Sequence, residues 1–218
     1  MIRRGAAELL GTALLLAIVV GSGIMGQRLA AGNDAVALLA NTMATGAGLF
    51  TLITVFGPIS GAHFNPAVTI AAAIDRSIPV KEAAGYIAVQ FAGACAGVVA
   101  AHAMFGLPLV QSSAHARGTA GEALGEVIAT FGLLLTIRLS SRAPLPQIAA
   151  AVALWITAAY WFTSSTSFAN PAVTFARSLT DTFAGIAPNH VMTFMGSQLL
   201  GSALAIAVGR WLVSRSQA

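Results

Sequence analysis

Two identical Asn-Pro-Ala segments are the part of this chain whose residue types and arrangement indicate a chemical role. They are Asn65, Pro66 and Ala67, and Asn170, Pro171 and Ala172. Asparagine is a favoured N-cap because its side-chain oxygen accepts hydrogen bonds from the first backbone N–H groups of a helix. Proline suits the position after the cap, where a backbone N–H is not needed. Each segment therefore predicts a helix start, with side-chain amide N–H groups available to donate to a passing hydroxyl or water.

The residues that follow each Asn-Pro-Ala segment are apolar but too few to cross a bilayer. They cover 67–74 and 172–179, whereas a membrane-spanning helix needs about 20 residues. Helices lying on the membrane surface are the alternative, but such helices should carry a polar face, and 67–74 has almost none. We therefore expect two half-helices that enter the membrane, which is permitted where irregular backbone is buried in protein or lines a cavity.

The composition places these half-helices in an integral membrane protein. The chain has 57% apolar and 8% charged residues and a mean hydropathy of +0.82, whereas a soluble domain is about a quarter charged. Apolar stretches long enough to span a bilayer occur at roughly 6–26, 35–57, 83–105, 120–140, 147–167 and 190–213. These six spans leave no room for a second domain, so we expect one channel-like domain over 1–218.

The positive charges indicate how the spans are oriented. Cytoplasmic termini place most arginine and lysine residues on the cytoplasmic side, as the positive-inside rule favours: Arg3, Arg4, Arg76, Lys81, Arg138, Arg142, Arg210 and Arg215. Arg28, Arg117 and Arg177 then lie outside. Topology thus explains the net charge of +4 better than nucleic-acid binding does, and the lipid bilayer is the expected partner.

The two halves of the sequence, about 1–114 and 115–218, repeat three features in the same order. Glu8 and Glu126 each open a span, an Asn-Pro-Ala segment follows, and Gln90 and Gln198 come next. Each half holds three spans, so the second copy must enter the membrane inverted, with the functional site near the midplane. The two half-helices would then meet there by their N-termini, each carrying roughly half a positive elementary charge. Such an arrangement repels cations and protons but not neutral solutes.

The stretch 60–69, the second Asn-Pro-Ala segment and the glutamates that open two spans resemble the aquaporin (major intrinsic protein) family. The resemblance covers nearly the whole chain. It implies an all-α membrane protein, an inverted-repeat bundle of six transmembrane helices plus two half-helices, with one pore per subunit in a homotetramer. It further implies a passive channel for small uncharged solutes. The short termini favour a location in the inner membrane of a bacterial cell.

The resemblance also assigns roles to residues. Asn65 and Asn170 become paired donors in the pore, and His63 lines the pore on its cytoplasmic side. Glu8 and Glu126 become buried residues that hold the loops before the half-helices, while Gln90 and Gln198 are expected to make contacts between helices.

The second constriction of the family, which usually carries an aromatic residue and an arginine, departs from the pattern. Val173 stands where the arginine usually follows the second Asn-Pro-Ala segment. Counting back without gaps places Thr45, Ala158 and Ser167 at the other filter positions. We therefore expect a wide filter without an aromatic residue or arginine, which favours glycerol-like polyols or metalloid acids such as arsenite over strict water selectivity. A bacterial branch of the family found in arsenic-resistance settings also carries Asn-Pro-Ala-Val.

Arg177 leaves two possibilities open. It lies four residues after Val173 and four before Asp181, and side chains at this spacing lie on one helix face. It either lines the outer vestibule, partly replacing the missing arginine, or pairs with Asp181.

The alternatives to a polyol channel are a water-selective channel and, from another class, a secondary transporter. Coupled transport usually needs ionisable groups inside the membrane, and the candidates Glu8, Glu122 and Glu126 all lie near span ends. An enzyme is disfavoured, because no nucleophile–base set, phosphate loop or metal-ligand spacing is evident. We therefore predict neither a cofactor nor a metal site.

Overall fold

The computed structural model describes residues 1–214, and Arg215, assigned above to the cytoplasmic side, lies outside the described residues. Over 1–214 the regular structure consists of eight helices. They are α1 (Ile2–Leu29), α2 (Asp34–Ser60), α3 (Pro66–Ile74), α4 (Val80–Met104), α5 (Ala120–Leu139), α6 (Leu145–Phe162), α7 (Pro171–Arg177) and α8 (Pro188–Ser214).

Six of these helices are long and apolar enough to cross a membrane, and α3 and α7 are the two short helices expected after the Asn-Pro-Ala segments. The predicted fold class is therefore confirmed. The fifth span is shorter than predicted, since α6 ends at Phe162 rather than at 167. Thr166 and Ser167, beyond this end, have φ values of 58° and 52°, a left-handed conformation that no α-helix accommodates.

Equivalent helices of the two halves pack in equivalent ways, and glycine permits the close approach in both. α1 packs on α4, and α5 packs on α8. A Cβ atom on Gly93 would overlap the carbonyl oxygen of Leu9, and one on Gly201 would overlap that of Val127. Small residues that let backbones approach this closely are a general means of packing membrane helices.

Ion pairs tie helices together at the end of the bundle that carries both chain termini, which we call the terminal end. Arg138 of α5 and Arg210 of α8 both pair with Asp75, which follows α3, and Arg4 of α1 pairs with Glu82 of α4 at 2.7 Å. The opposite end of the bundle, where Arg28 lies in the last turn of α1, is called the far end. The first helix therefore begins, and the last helix ends, at the same end of the bundle.

Gly93→Ala should destabilise the fold, because the added methyl group meets the backbone oxygen of Leu9 rather than a movable side chain. Overpacking of this kind costs typically about 1–3 kcal/mol, so the thermal unfolding temperature in detergent should fall by several degrees. Gly85→Ala, in the same helix, is the matched control, since a Cβ there meets nothing within 4 Å and alanine favours the helix. An equal change in both variants would contradict the packing argument.

Candidate functional site

The two Asn-Pro-Ala segments meet, and each asparagine makes two kinds of hydrogen bond. The Oδ1 atom of Asn65 accepts from the N–H of Ala67 at 2.9 Å, which caps α3. Its Nδ2 atom donates to the carbonyl oxygen of Ala169, in the other half of the chain, at 2.7 Å. Asn170 mirrors this arrangement, accepting from Ala172 at 3.0 Å and donating to Phe64 at 2.8 Å.

These reciprocal bonds correct the expectation that the amide N–H groups of Asn65 and Asn170 are free. A side-chain amide has two N–H donors, and one of each pair is committed to the opposite half. The commitment fixes the plane of each amide, so the second N–H points in a defined direction.

The buried carboxylate of Glu8 holds the segment before α3. Its Oε1 atom accepts from the backbone N–H of His63 at 3.0 Å, and its Oε2 atom accepts from that of Phe64 at 2.7 Å. Gln90 donates to Glu8 at 2.8 Å and to the hydroxyl of Thr69 in α3 at 2.9 Å. One cluster therefore joins α1, α4 and the first half-helix.

Glu126 occupies the equivalent place in the second half. It accepts from the backbone N–H groups of Phe168 and Ala169, both at 2.8 Å. Gln198 donates to Glu126 at 2.6 Å and to Thr174 of α7 at 2.7 Å. Both carboxylates are fully buried, and neither lines the cavity described next.

Both held segments have unusual backbone conformations. Ala62 and Phe64 before α3, and Ser167 and Ala169 before α7, have φ values between 49° and 52°. Non-glycine residues persist in this region only where the surroundings fix them. The carboxylates provide that fixation, because the N–H groups they bind belong to the same turns.

A cavity of about 860 Å³ runs along the bundle past the two Asn-Pro-Ala segments. Its lining follows α6 from Ile148 to Tyr160, about 18 Å at 1.5 Å per residue. At the terminal end the lining includes Asp75 and Arg142, and at the far end it includes Arg177. The predicted site residues that line it are His63, Asn65, Asn170, Thr45, Ser167, Val173 and Arg177. The proline and alanine residues of the two Asn-Pro-Ala segments are also buried but do not line the cavity.

His63 lines the cavity and also packs against neighbouring side chains. Its Nδ1 atom lies 3.1 Å from the hydroxyl of Thr69, and its ring packs edge-on against Tyr86 with 5.5 Å between centroids. The ring is therefore held in one orientation beside the cavity.

Ala158 does not line the cavity, so this predicted filter position is wrong. Its side chain is exposed on the outside of the bundle, whereas Ile156 and Tyr160 of α6 line the cavity. Residues two apart on a helix point to nearly opposite sides, so a slip of two residues in the count accounts for the error.

An aromatic residue, Tyr160, which the sequence analysis did not name, also lines the cavity. The Tyr160 hydroxyl lies 3.4 Å from the Thr45 hydroxyl oxygen, and both residues line the far end with Arg177. Sequence reasoning missed Tyr160 because the gapless count placed the filter residue of α6 two positions earlier, at Ala158.

Of the two possibilities for Arg177, the structure supports the vestibule. The side chain is 2% exposed, its Nε donates to the carbonyl oxygen of Ala184, and its guanidinium lies 3.4 Å from the centroid of the Phe168 ring. Asp181 instead accepts from the backbone N–H of Ala114 at 2.8 Å. The expected pair fails because α7 ends at Arg177, so the helical four-residue spacing does not extend to Asp181.

A second arginine lies close to Arg177 at the far end of the bundle. Arg117, which the sequence did not single out, is buried and places its guanidinium 5.1 Å from the centroid of the same Phe168 ring. In the connection between α4 and α5, the pKa of His115 is lowered by burial and then by the charges of Arg117 and Arg177. Over 1–214, no group of three histidine, cysteine or acidic side chains is placed to hold a metal ion.

Comparisons with known proteins show which family the sequence resembles. Residues 1–143 match the family model described as Major intrinsic protein. Aquaglyceroporin AqpS of Rhizobium meliloti (strain 1021) is 51% identical over 211 residues, which cover 97% of this chain and 90% of that protein. Aquaporin NIP2-1 of Zea mays is 28% identical over 218 residues, covering 97% and 70% of the two chains.

Among solved structures, the X-ray structure of the aquaglyceroporin from Plasmodium falciparum superposes with a TM-score of 0.72. The superposition covers 95% of this chain and 93% of that one, at 20% sequence identity. At this identity the likeness shows a shared fold.

Glu126→Gln should lower the stability of the protein markedly. Whichever way the new amide turns, its NH₂ group faces the N–H of Phe168 or Ala169, and leaving a buried donor unpaired costs about 1–3 kcal/mol. We expect a clear fall in thermal unfolding temperature in detergent. Glu122→Gln is the control, because Glu122 belongs to an exposed capping box with Thr119 that glutamine also completes. Equal unfolding temperatures for the two variants would refute this role of Glu126.

Proposed function

The chain belongs to the major intrinsic protein family, and from this premise we propose that it is a passive channel for small uncharged solutes such as glycerol-like polyols and metalloid acids, arsenite among them. The observation that carries the proposal is the cavity that passes both Asn65 and Asn170, where the two half-helices meet. The name of the Rhizobium relative, an aquaglyceroporin, supports glycerol as a solute.

Neutral solutes suit the lining because it alternates apolar surface with a few fixed donors. Val68 and Val173 follow the two Asn-Pro-Ala segments and line the cavity. Each asparagine amide keeps one N–H group that is not bonded to the opposite half. A polyol has both a hydrocarbon face and hydroxyl oxygens, so it can lie against the valines and accept from the amides. The N-termini of α3 and α7 add positive potential where they meet, which disfavours cations.

A coupled transporter is disfavoured by what the buried carboxylates do. Coupling usually requires an ionisable group inside the membrane that changes its proton or ion occupancy. Glu8 and Glu126 instead accept hydrogen bonds from backbone N–H groups inside the bundle. These bonds support a structural role for both residues.

At the far end we propose a filter formed by Thr45, Tyr160, Ser167, Val173 and Arg177. Val173 leaves open the volume that an arginine side chain would fill, and Arg177 lies one helical turn farther out. This arrangement favours solutes wider than water over strict water selectivity.

The orientation of the chain follows from its charges. We propose that the terminal end, which carries Arg4, Arg138 and Arg210, faces the cytoplasm, as the positive-inside rule favours. The far end then faces outward from the inner membrane. A homotetramer is proposed from family resemblance.

Val173→Arg should reduce passage of glycerol at least tenfold and passage of water less, because the longer side chain fills the lumen beside Arg177. The measurement is stopped-flow light scattering of liposomes containing purified protein, under inward gradients of sucrose, glycerol or arsenous acid, with empty liposomes alongside. Val36→Arg is the control, since Val36 is an exposed residue in the first turn of α2.

Fast re-swelling of the parent liposomes with glycerol or arsenous acid would support the wide filter. Fast shrinkage in sucrose without re-swelling in glycerol would mean a water-selective channel. Unchanged glycerol and arsenous acid passage in a properly inserted Val173→Arg variant would refute the place of Val173 in the filter.

A further inference from the structure

Two buried polar atoms at the far end of the cavity lack hydrogen-bond partners within the part of the chain that the structure describes. They are the Nη1 atom of Arg177 and the hydroxyl oxygen of Ser167, and both residues line the cavity. Buried polar atoms of folded proteins are paired in the great majority of cases, because leaving one unpaired destabilises the protein. A partner supplied by a molecule inside the cavity would satisfy both atoms.

The charge of Arg177 is likewise not matched by an ion pair over residues 1–214. The ion pairs of this part of the chain lie at the terminal end and involve Asp75 and Glu82. Near Arg177 the acidic groups are engaged elsewhere: Glu126 with backbone N–H groups, and Asp181 with Ala114. Arg117 adds a second positive charge beside the same ring.

The guanidinium of Arg177 is held in a fixed plane. Its Nε donates to the carbonyl oxygen of Ala184, and its face stacks on the Phe168 ring at 3.4 Å. A guanidinium of fixed orientation presents N–H groups in a fork that matches a carboxylate. Next to it, Val173 offers an apolar surface and Ser167 a hydroxyl, which suit the carbon chain and a hydroxyl group of a small ligand.

We propose that Arg177 and Ser167 form a binding subsite for the carboxylate of a small hydroxy acid in its ionised form, at the far end of the cavity. Such an anion competes there with the neutral solutes that pass through the channel. The inference rests on the proposed channel function for its flux test, while binding itself can be measured independently of flux.

Glycerate is the probe, because it is glycerol with one CH₂OH group replaced by a carboxylate. The experiment follows glycerol-driven re-swelling of liposomes containing the parent protein at neutral pH, with increasing sodium glycerate and with sodium chloride at matched ionic strength. Glycerate should slow re-swelling in a saturable way, and chloride should not. Arg177→Gln should raise the half-inhibitory glycerate concentration at least tenfold, Arg177→Lys less, and Ser167→Ala severalfold.

Arg28→Gln is the matched control. Arg28 also donates to a backbone carbonyl, that of Phe105, at 3.2 Å, and its guanidinium lies 5.0 Å from the Phe105 ring centroid. It does not, however, line the cavity. The half-inhibitory concentration should therefore equal that of the parent.

Slowing that is equal in the parent and Arg177→Gln, equal with chloride, or absent in the parent would overturn the subsite. Titration calorimetry of the purified proteins with glycerate, after size-exclusion chromatography shows each variant to be intact, separates this inference from the channel proposal. Binding by the parent that Arg177→Gln loses supports the subsite even if glycerol does not pass. Equal binding by both proteins, or none by the parent, removes it.

Discussion

Backbone N–H groups that leave a helix inside a membrane need an acceptor from the protein itself, and the rest of this structure depends on how that need is met. The segments before α3 and α7 are not helical, yet they lie in the middle of the bundle. Glu8 and Glu126 supply two acceptor oxygens to each segment. Gln90 and Gln198 then fix the carboxylates and reach the half-helices through Thr69 and Thr174. A half-helix, its turn and two long helices therefore form one hydrogen-bonded unit in each half.

The asparagine side chains join these two units. Each one caps its own half-helix and donates to the turn of the other half, so neither half completes its site alone. The same bonds set the direction of the remaining amide N–H groups toward the lumen of the bundle. Structural fixation and the proposed solute contact thus come from a single pair of residues.

Much of this arrangement could be predicted because its signals are local. An asparagine followed by proline specifies a helix start by cap chemistry alone, and the length of an apolar run decides whether a helix spans the bilayer. The position of Ala158 could not be predicted in this way, since the turns at 166–169 break the helical period between Asn170 and α6. The supposed pairing of Arg177 with Asp181 failed for a related reason, because α7 ends at Arg177. The contact of Arg177 with Phe168 depends on a ring that the fold, not the spacing, brings under it.

The reciprocal bonds between the halves also constrain the order of assembly during biosynthesis. The Nδ2 atom of Asn65 bonds to a carbonyl that lies 104 positions later in the chain. When the ribosome has completed only the first three spans, the first half-helix still lacks this partner, although Glu8 and Gln90 are already present to hold it. Contacts between residues so distant in sequence form late, because a long loop must close before they are made. The lumen therefore takes its final shape only after the last span, which supplies part of its lining, has been inserted.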